Sequence, residues 1–373
     1  MQLKIRIFNY FCKDLEVIWS DFQRLSDDGC YVFQTYEWIE YWFYTVGKKN
    51  YSMLPLIITV FDDEDAIAIF PLGMYTKYSA RIIEFIGGGQ SDYNTPIVSS
   101  KVDLKNYNDI WNMVLNELPA YDILNLQRIP HKVVERDNLF LKVACVNKTG
   151  STYSLKLPKS SDNLSSVVSK RLLKDNARMV RRLSELGQLK YSISSNRDEY
   201  NAIIEITLQQ KTDRYLLTGV RNLLDNENIY SFYKGLYDGL SKSLNVHLSS
   251  LTLNGEVLAT HLGIVYGKRF YYLMPTFSQG DYEKFSPGRL LLDFLVKNSI
   301  EEKLEVYDFT IGSELYKKKW CDNEMNIYSH QSYTSSKGFL FLFVLKIILF
   351  LKNNPTTRSL LMRIMRLRNI IPK

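Results

Sequence analysis

Apolar and polar positions in this chain alternate between a strand period and a helix period, and the switches outline two similar halves. In the first half, residues 35–46 (TYEWIEYWFYTV) read as an aromatic helix. Residues 54–61, 66–75 and 81–86 then read as successive strands, rich in β-branched and aromatic side chains. In the second half, residues 246–253, 257–266 and 269–275 are strands joined at Asn254-Gly255 and Gly267-Lys268. Asn-Gly is a strong hairpin signal because both positions tolerate positive φ. A helix from Ser286 and a strand at 304–310 follow. Hairpins that feed a helix and a further strand predict an α/β or α+β architecture with mixed sheets.

Two short matches at nearly one offset point to a duplication. Leu72-Gly73 and Leu262-Gly263 end similar strand-like runs 190 positions apart. Asp92-Tyr93, in SDYNTP, and Asp281-Tyr282, in GDYEKFSP, are 189 apart. The halves divide at a polar stretch from Pro158, which gives expected domains at 1–157 and 158–333 and a tail at 334–373.

A helix over 170–186 opens the second half and stops at Gly187. Arg171, Lys174, Arg178, Arg181 and Arg182 fall in one stripe of it, opposite Leu172, Leu173, Ala177, Met179, Val180, Leu183 and Leu186. The stripe is either a cationic rim for phosphate, nucleotide or lipid headgroup or an ordinary solvated face. In the tail, residues 338–351 (GFLFLFVLKIILFL) are interrupted only by Lys346. As a helix that run is roughly 21 Å long, against a hydrocarbon core of roughly 30 Å, so lying on a membrane is favoured over crossing it. A second basic helix is expected over 356–371.

Charge sharpens this picture. The 373-residue chain has a formal net charge of +7, and residues 335–373 contain eight Lys/Arg and no Asp or Glu. The remainder is close to neutral, so the tail suggests an anionic membrane surface before DNA. With 26 Tyr, 19 Phe and a mean hydropathy of −0.18, the chain is neither disordered nor a polytopic membrane protein. Cys12, Cys30, Cys145 and Cys321 lie far apart without metal-ligand spacing, so reduced thiols and no metal site are expected. The first residues lack a clean apolar run, and the expected compartment is the cytoplasm, with a peripheral position at the inner membrane face as its extension.

Phosphate-loop, nucleophile-elbow, HExxH and GxGxxG signatures are absent. The most specific stretch is Ser286-Pro287-Gly288-Arg289, which pairs an N-cap residue and a first-turn proline with a glycine for close approach and a cation. Beyond it comes DFTIGSELYKKKW, from Asp308 to Trp320. SPGRLLL, DFTIGSELYKKKW, SDY in the first half and the helix KRLLKDNARMVRRLSELG between them together resemble the GNAT-superfamily acyltransferases of the CelD/BioF2-like type, relatives of the FemAB-type double-GNAT transferases. The resemblance covers residues 30–330 and implies two GNAT-like folds in tandem, with the acyl donor held by the second. The family's Q/R-x-x-G-x-G/A donor loop is matched in part, since Gly288 fits the first glycine while Leu290 and Phe285 depart from the pattern. Acyl-CoA, most simply acetyl-CoA, is the implied donor; carrier protein or aminoacyl-tRNA is the alternative.

Acyl transfer needs a base for the acceptor, a polarised carbonyl and a proton for the leaving thiolate. His261 is a candidate base or a structural strand histidine. Asp308 and Glu314 are rival bases or amine anchors, or else salt-bridge partners of residues 317–319. Tyr316 can protonate the leaving group or fill core, and Lys317 can bind phosphate or polarise a carbonyl. Asp92 and Tyr93 can contact the acceptor, or Asp92 can merely stabilise its turn. Read this way, the chain transfers an acyl group to an amino sugar of a surface polysaccharide or glycolipid precursor. The alternatives are tRNA-dependent aminoacyl transfer to a peptidoglycan precursor and a non-catalytic glycan-binding role.

Overall fold

A computed structural model describes residues 3–24, 29–312 and 314–353; the expected helix at 356–371 lies outside the described residues. The strands are β1 (Leu3–Phe8), β2 (Leu54–Asp62), β3 (Asp65–Lys77), β4 (Ala80–Phe85), β5 (Ile97–Val98), β6 (Ile123–Pro130), β7 (Lys132–Val133), β8 (Arg136–Asp137), β9 (Val146–Lys156), β10 (Leu189–Ile193), β11 (Asn245–Leu253), β12 (Glu256–Tyr266), β13 (Arg269–Phe277), β14 (Val306–Ile311) and β15 (Asn323–Tyr333). The helices are α1 (Lys13–Arg24), α2 (Tyr36–Trp42), α3 (Lys48–Tyr51), α4 (Leu104–Glu117), α5 (Phe140–Val143), α6 (Lys170–Ser184), α7 (Arg197–Thr218), α8 (Glu227–Lys234), α9 (Leu236–Leu240), α10 (Pro287–Glu301) and α11 (Ser336–Asn353). The expected strands and helices of both halves all form, within a few residues of their expected ends.

One mixed sheet runs through both halves in the order β1-β2-β3-β4-β6-β15-β9-β14-β13-β12-β11-β10, with β5 on β3. The duplication is visible in it: β2-β3-β4-α4-β6 is repeated as β11-β12-β13-α10-β14. At the equivalent Leu-Gly pairs, a Cβ on Gly73 would meet the Met53 sulfur and one on Gly263 the backbone of Tyr271, so crowding calls for glycine at both. The Asn254-Gly255 turn has positive φ at both residues, as its sequence requires.

The sheet does not divide at residue 157. β9, from the first half of the chain, pairs with β14 of the second, while β15, from the second, pairs with β6 of the first. β15 and β9 also pair with each other, which closes the sheet across the seam. On one face both halves share a core of aromatic and aliphatic residues that includes Trp19, Trp38, Trp42, Tyr200, Phe232, Leu262 and Tyr271. On the other face, α4 and α5 cover the N-terminal half and α6 and α10 the C-terminal half.

His261 lies inside the second half's core rather than at a surface. It is completely buried, its ring stacks on Tyr272 at 4.2 Å, and neither ring nitrogen has a hydrogen-bond partner. This corrects its expected role as a base, because a proton acceptor needs a partner within reach. His247, 6.4 Å away on β11, is equally unpartnered, and burial lowers it to about 4. A histidine kept neutral in the fold but free to charge when unfolded contributes stability above pH 6.5 that is lost as pH falls toward 4. Denaturant titration is therefore expected to find about 2 kcal/mol lost between pH 7 and pH 5 through His247 alone. His247→Phe is expected to make that limb shallower by about that amount, with His261 carrying the rest; an unchanged limb would show that His247 carries none of it.

Candidate active site

Each half opens its sheet at the same place. β13 and β14 pair in parallel only from Arg269 to Tyr271, against Val306 to Asp308. β4 and β6 pair only at Ile82–Ile123 and Ile83–Leu124. Beyond those pairs the facing edges part, leaving backbone groups for a ligand to pair with. In the second half the last bridge is Thr310, whose Oγ1 donates to the Tyr272 carbonyl at 3.2 Å. Thr310 has φ of 58°, rare for a β-branched residue and a mark of a constrained site.

The first half delivers Asp92 to this opening. The aromatic helix places two indoles under the loop, Trp38 donating to Ser91 Oγ and Trp42 to Gln90 Oε1, both at 2.8 Å. Arg128, at the end of β6, staples the same loop by donating to the carbonyls of Gly89 and Ser91 and to Asp92 Oδ1 at 3.0 Å. Thr310 and the Lys317 ammonium both act on the Asp92 carboxyl and favour its charged form, so it lies beside the opening in the other half. Burial pushes its carboxyl above the usual range, against the pull of Arg128.

From the second half, Lys317 is buried, donates to the Ile311 carbonyl at 2.8 Å and pairs with Glu314 at 3.1 Å. Tyr316 lies beside Glu314 and Arg214, and burial holds its phenol above the ordinary tyrosine value. Helix α7 adds Lys211, lowered by burial and by the charges of Arg214 and Lys317. Arg214 lies over the Phe277 ring at 5.0 Å. Lys211, Arg214 and Arg128 did not emerge from the sequence. A three-residue spacing on one helix is the only local sign of the first two, and nothing local marks Arg128.

Two expected roles change. Asp308 is 2% exposed and committed: it pairs with Arg269 at 2.9 Å and accepts from the Tyr93 hydroxyl at 2.7 Å and the Thr310 amide at 2.8 Å. Tyr93 also hydrogen-bonds Thr152. Both residues therefore lock the seam between the halves, and three of the four acceptor positions of the Asp308 carboxylate are taken by protein donors. At the start of α10, Ser286 adopts a left-handed conformation and its side chain caps nothing; its carbonyl instead takes the Arg289 and Leu290 amides. A Cβ on Gly288 would press on Phe277 at 3.2 Å, so this glycine permits helix–strand packing. Pro287 is buried in the first turn.

Arg289 does reach a candidate anion site. It pairs with Asp175 of α6 at 2.8 Å, and its Nε is buried without a partner. The two residues line a groove of about 850 Å³ together with Arg171, Lys174, Arg178, Lys318 and Lys319, six cations to one carboxylate. Arg171, Lys174 and Arg178 of the cationic stripe thus face a groove shared with Lys318 and Lys319, which suits a phosphate-bearing donor. Among the described residues no group of three or more His, Cys, Asp or Glu can hold a metal ion.

Comparison with known proteins agrees with this build. Residues 170–318 match the family model described as an acetyltransferase (GNAT) domain. The search of curated proteins returns no match. Among solved structures, FemX superposes with a TM-score of 0.59 at 12% identity, over 87% of this chain and 97% of that one. L-PGS from Bacillus licheniformis gives 0.51 at 10% identity, over 89% and 95%. A tandem GNAT protein from the clavulanic acid biosynthesis pathway gives 0.50 at 9% identity, over 90% and 100%. Residues 170–318 thus carry an acyltransferase domain of the GNAT type. The chain as a whole shares its fold with FemX and with the tandem GNAT protein, and its GNAT domain lies in the C-terminal half.

The network around Asp308 gives a test of its structural role. Asp308→Asn leaves Arg269 buried without its counter-charge and is expected to cost about 3 kcal/mol or more of stability, measured as a lower denaturant midpoint. Little change in midpoint with lost activity would instead return Asp308 to the chemistry.

Proposed function

We propose that the chain transfers an acyl group, most simply acetyl, from an acyl-CoA to the amino group of a sugar in a surface polysaccharide or glycolipid precursor. The observation that carries the reading is the meeting of Asp92 from one half with Thr310 and Lys317 from the other, at the place where β13 and β14 part. The cationic groove holds the phosphates of the donor, and the opening takes its acyl-bearing arm. The acceptor nitrogen attacks the thioester carbonyl and a C–N bond forms. Asp92 accepts the proton that the nitrogen releases, and burial, which raises its carboxyl above the ordinary range, makes it a better proton acceptor. Lys317 stabilises the carbonyl oxygen as charge develops on it. The C–S bond then breaks and Tyr316, protonated at working pH, gives its proton to the sulfur. Glu314 holds Lys317 in place.

One feature favours a second donor. A groove of about 850 Å³ with six cations is larger than one pyrophosphate needs and also suits the end of an aminoacyl-tRNA. Transfer that ignores acyl-CoA and requires charged tRNA would decide for that alternative, whose acceptor is a peptidoglycan precursor.

The partner surface we propose is an anionic membrane on the cytoplasmic side. α11 covers β4 and β15 with one side, where Leu342 packs on Ala80, Ile82 and Ile123. Its other side exposes Phe339, Leu340, Phe343, Val344, Ile347 and Phe350, within an arc of about 140°. No helix among the described residues is long and apolar enough to cross a membrane. An apolar face with eight cations and no acids over residues 335–373 complements a bilayer surface rich in anionic lipid.

Asp92→Asn is expected to lower kcat by about 10²–10⁴-fold and to remove the acidic limb of the pH–rate profile, in which rate rises with pH through the raised Asp92 carboxyl. Lys174→Glu with Lys318→Glu is expected to raise the donor KM about tenfold and leave kcat nearly unchanged. Free-thiol release from acetyl-CoA with glucosamine-bearing acceptors reads both, and full activity in Asp92→Asn would sink the assignment. For the membrane, co-sedimentation with phosphatidylcholine vesicles containing phosphatidylglycerol is expected, weakened by salt and by Phe343→Glu with Ile347→Glu. Binding insensitive to those substitutions, or a stable dimer through α11, would count against it.

A further inference from the structure

The opening in the first half's sheet, between β4 and β6, is not used by the chemistry above. It forms a cavity of about 220 Å³ whose lining includes Tyr51, Tyr75, Glu84, Asn125, Gln127 and Arg128. That is smaller than the roughly 300 Å³ at which sites for drug-sized ligands begin, so it suits one ring rather than a long chain. Tyr51 and Tyr75 form an aromatic wall, with ring centroids 5.3 Å apart. Glu84 accepts from the Tyr75 hydroxyl at 3.3 Å, and Asn125 lies near enough to favour its charged form. A carboxyl, two amides and an aromatic wall in one small cavity match the alternating hydroxyls and apolar face of a sugar ring. Burial raises Glu84 to about 7, against the pull of its hydrogen bonds and of Lys77. Such a carboxyl gains from a ligand that supplies hydroxyl donors or an ammonium.

Position gives the cavity its meaning. Arg128 lines it and also holds Asp92, so the cavity adjoins the carboxylate proposed as the base. Tyr75 also packs against the apolar cluster under α11, which sets the cavity beside the proposed membrane-facing helix.

We infer that this cavity binds one amino-sugar ring of the acceptor and presents it to Asp92. The inference rests on the amino-sugar reading above and adds the ring's seat. Saturation-transfer NMR of the full chain with D-glucosamine, without donor, tests it apart from turnover. A signal is expected for wild type and for Asp92→Asn, with at least a tenfold loss of affinity in Tyr51→Ala and Glu84→Ala. Gly89 also lines the cavity and has open space where a Cβ would stand, so Gly89→Trp adds an indole at the cavity from an uncrowded attachment point and is expected to abolish the signal. Glucosamine bound equally by all three cavity variants, or by none of the proteins including wild type, would overturn the inference. Cavity-dependent binding without acyl transfer would uphold it while rejecting the reaction, and transfer insensitive to all three variants would do the reverse.

Discussion

The exchange of β9 and β15 between the halves is the constraint on which the rest depends. Each strand is contributed by one half and paired to the last strand of the other, and the two pair with each other at the centre. A continuous ladder of backbone hydrogen bonds therefore spans the seam, where two independent sheets would leave exposed edges. The buried Arg269–Asp308–Tyr93 network lies along the same seam and ties the first half's loop to the second half's strand. With backbone and side chains both fixed there, the two halves have little freedom to slide. That rigidity fixes a carboxylate from one half, Asp92, beside the opening in the other.

Duplication then explains the division of labour. Both halves part their sheet between the strand before a helix and the strand after it. In the second half the opening is met by Lys211, Arg214 and Lys317, a set suited to phosphate and to an oxyanion. In the first it is lined by Tyr51, Tyr75, Glu84 and Asn125, a set suited to hydroxyls. Arg128 and Asp92 lie between them, one side chain facing each chemistry. The same backbone device is thus filled with two different polarities.

Much of the architecture was legible in the chain itself. Period-two apolar runs, the Asn-Gly hairpin and the Leu-Gly repeats identified the elements and the duplication, because each is a local property of backbone and neighbouring side chains. The amphipathic helix at 170–186 was visible as a cationic stripe, but that the stripe faces a groove rather than bulk water depends on Arg289 and Lys318 arriving from distant segments. His261 carried a plausible pKa for a base; its neighbours Tyr272 and Phe270, on the adjacent strand, bury it.

Sequence alone determined the class of fold, the repeat and the basic tail, since periodicity, capping and charge runs act over a few residues. Tertiary structure alone decided which acids are spent and which are available. Asp308 and Asp92 look alike in the chain, and one is neutralised by a buried arginine while the other stands at the seam with its carboxyl raised. The strand exchange, too, was invisible beforehand. Pairing partners 169 and more residues apart are chosen by which edges remain unsatisfied once both halves have formed, and no local pattern records that choice.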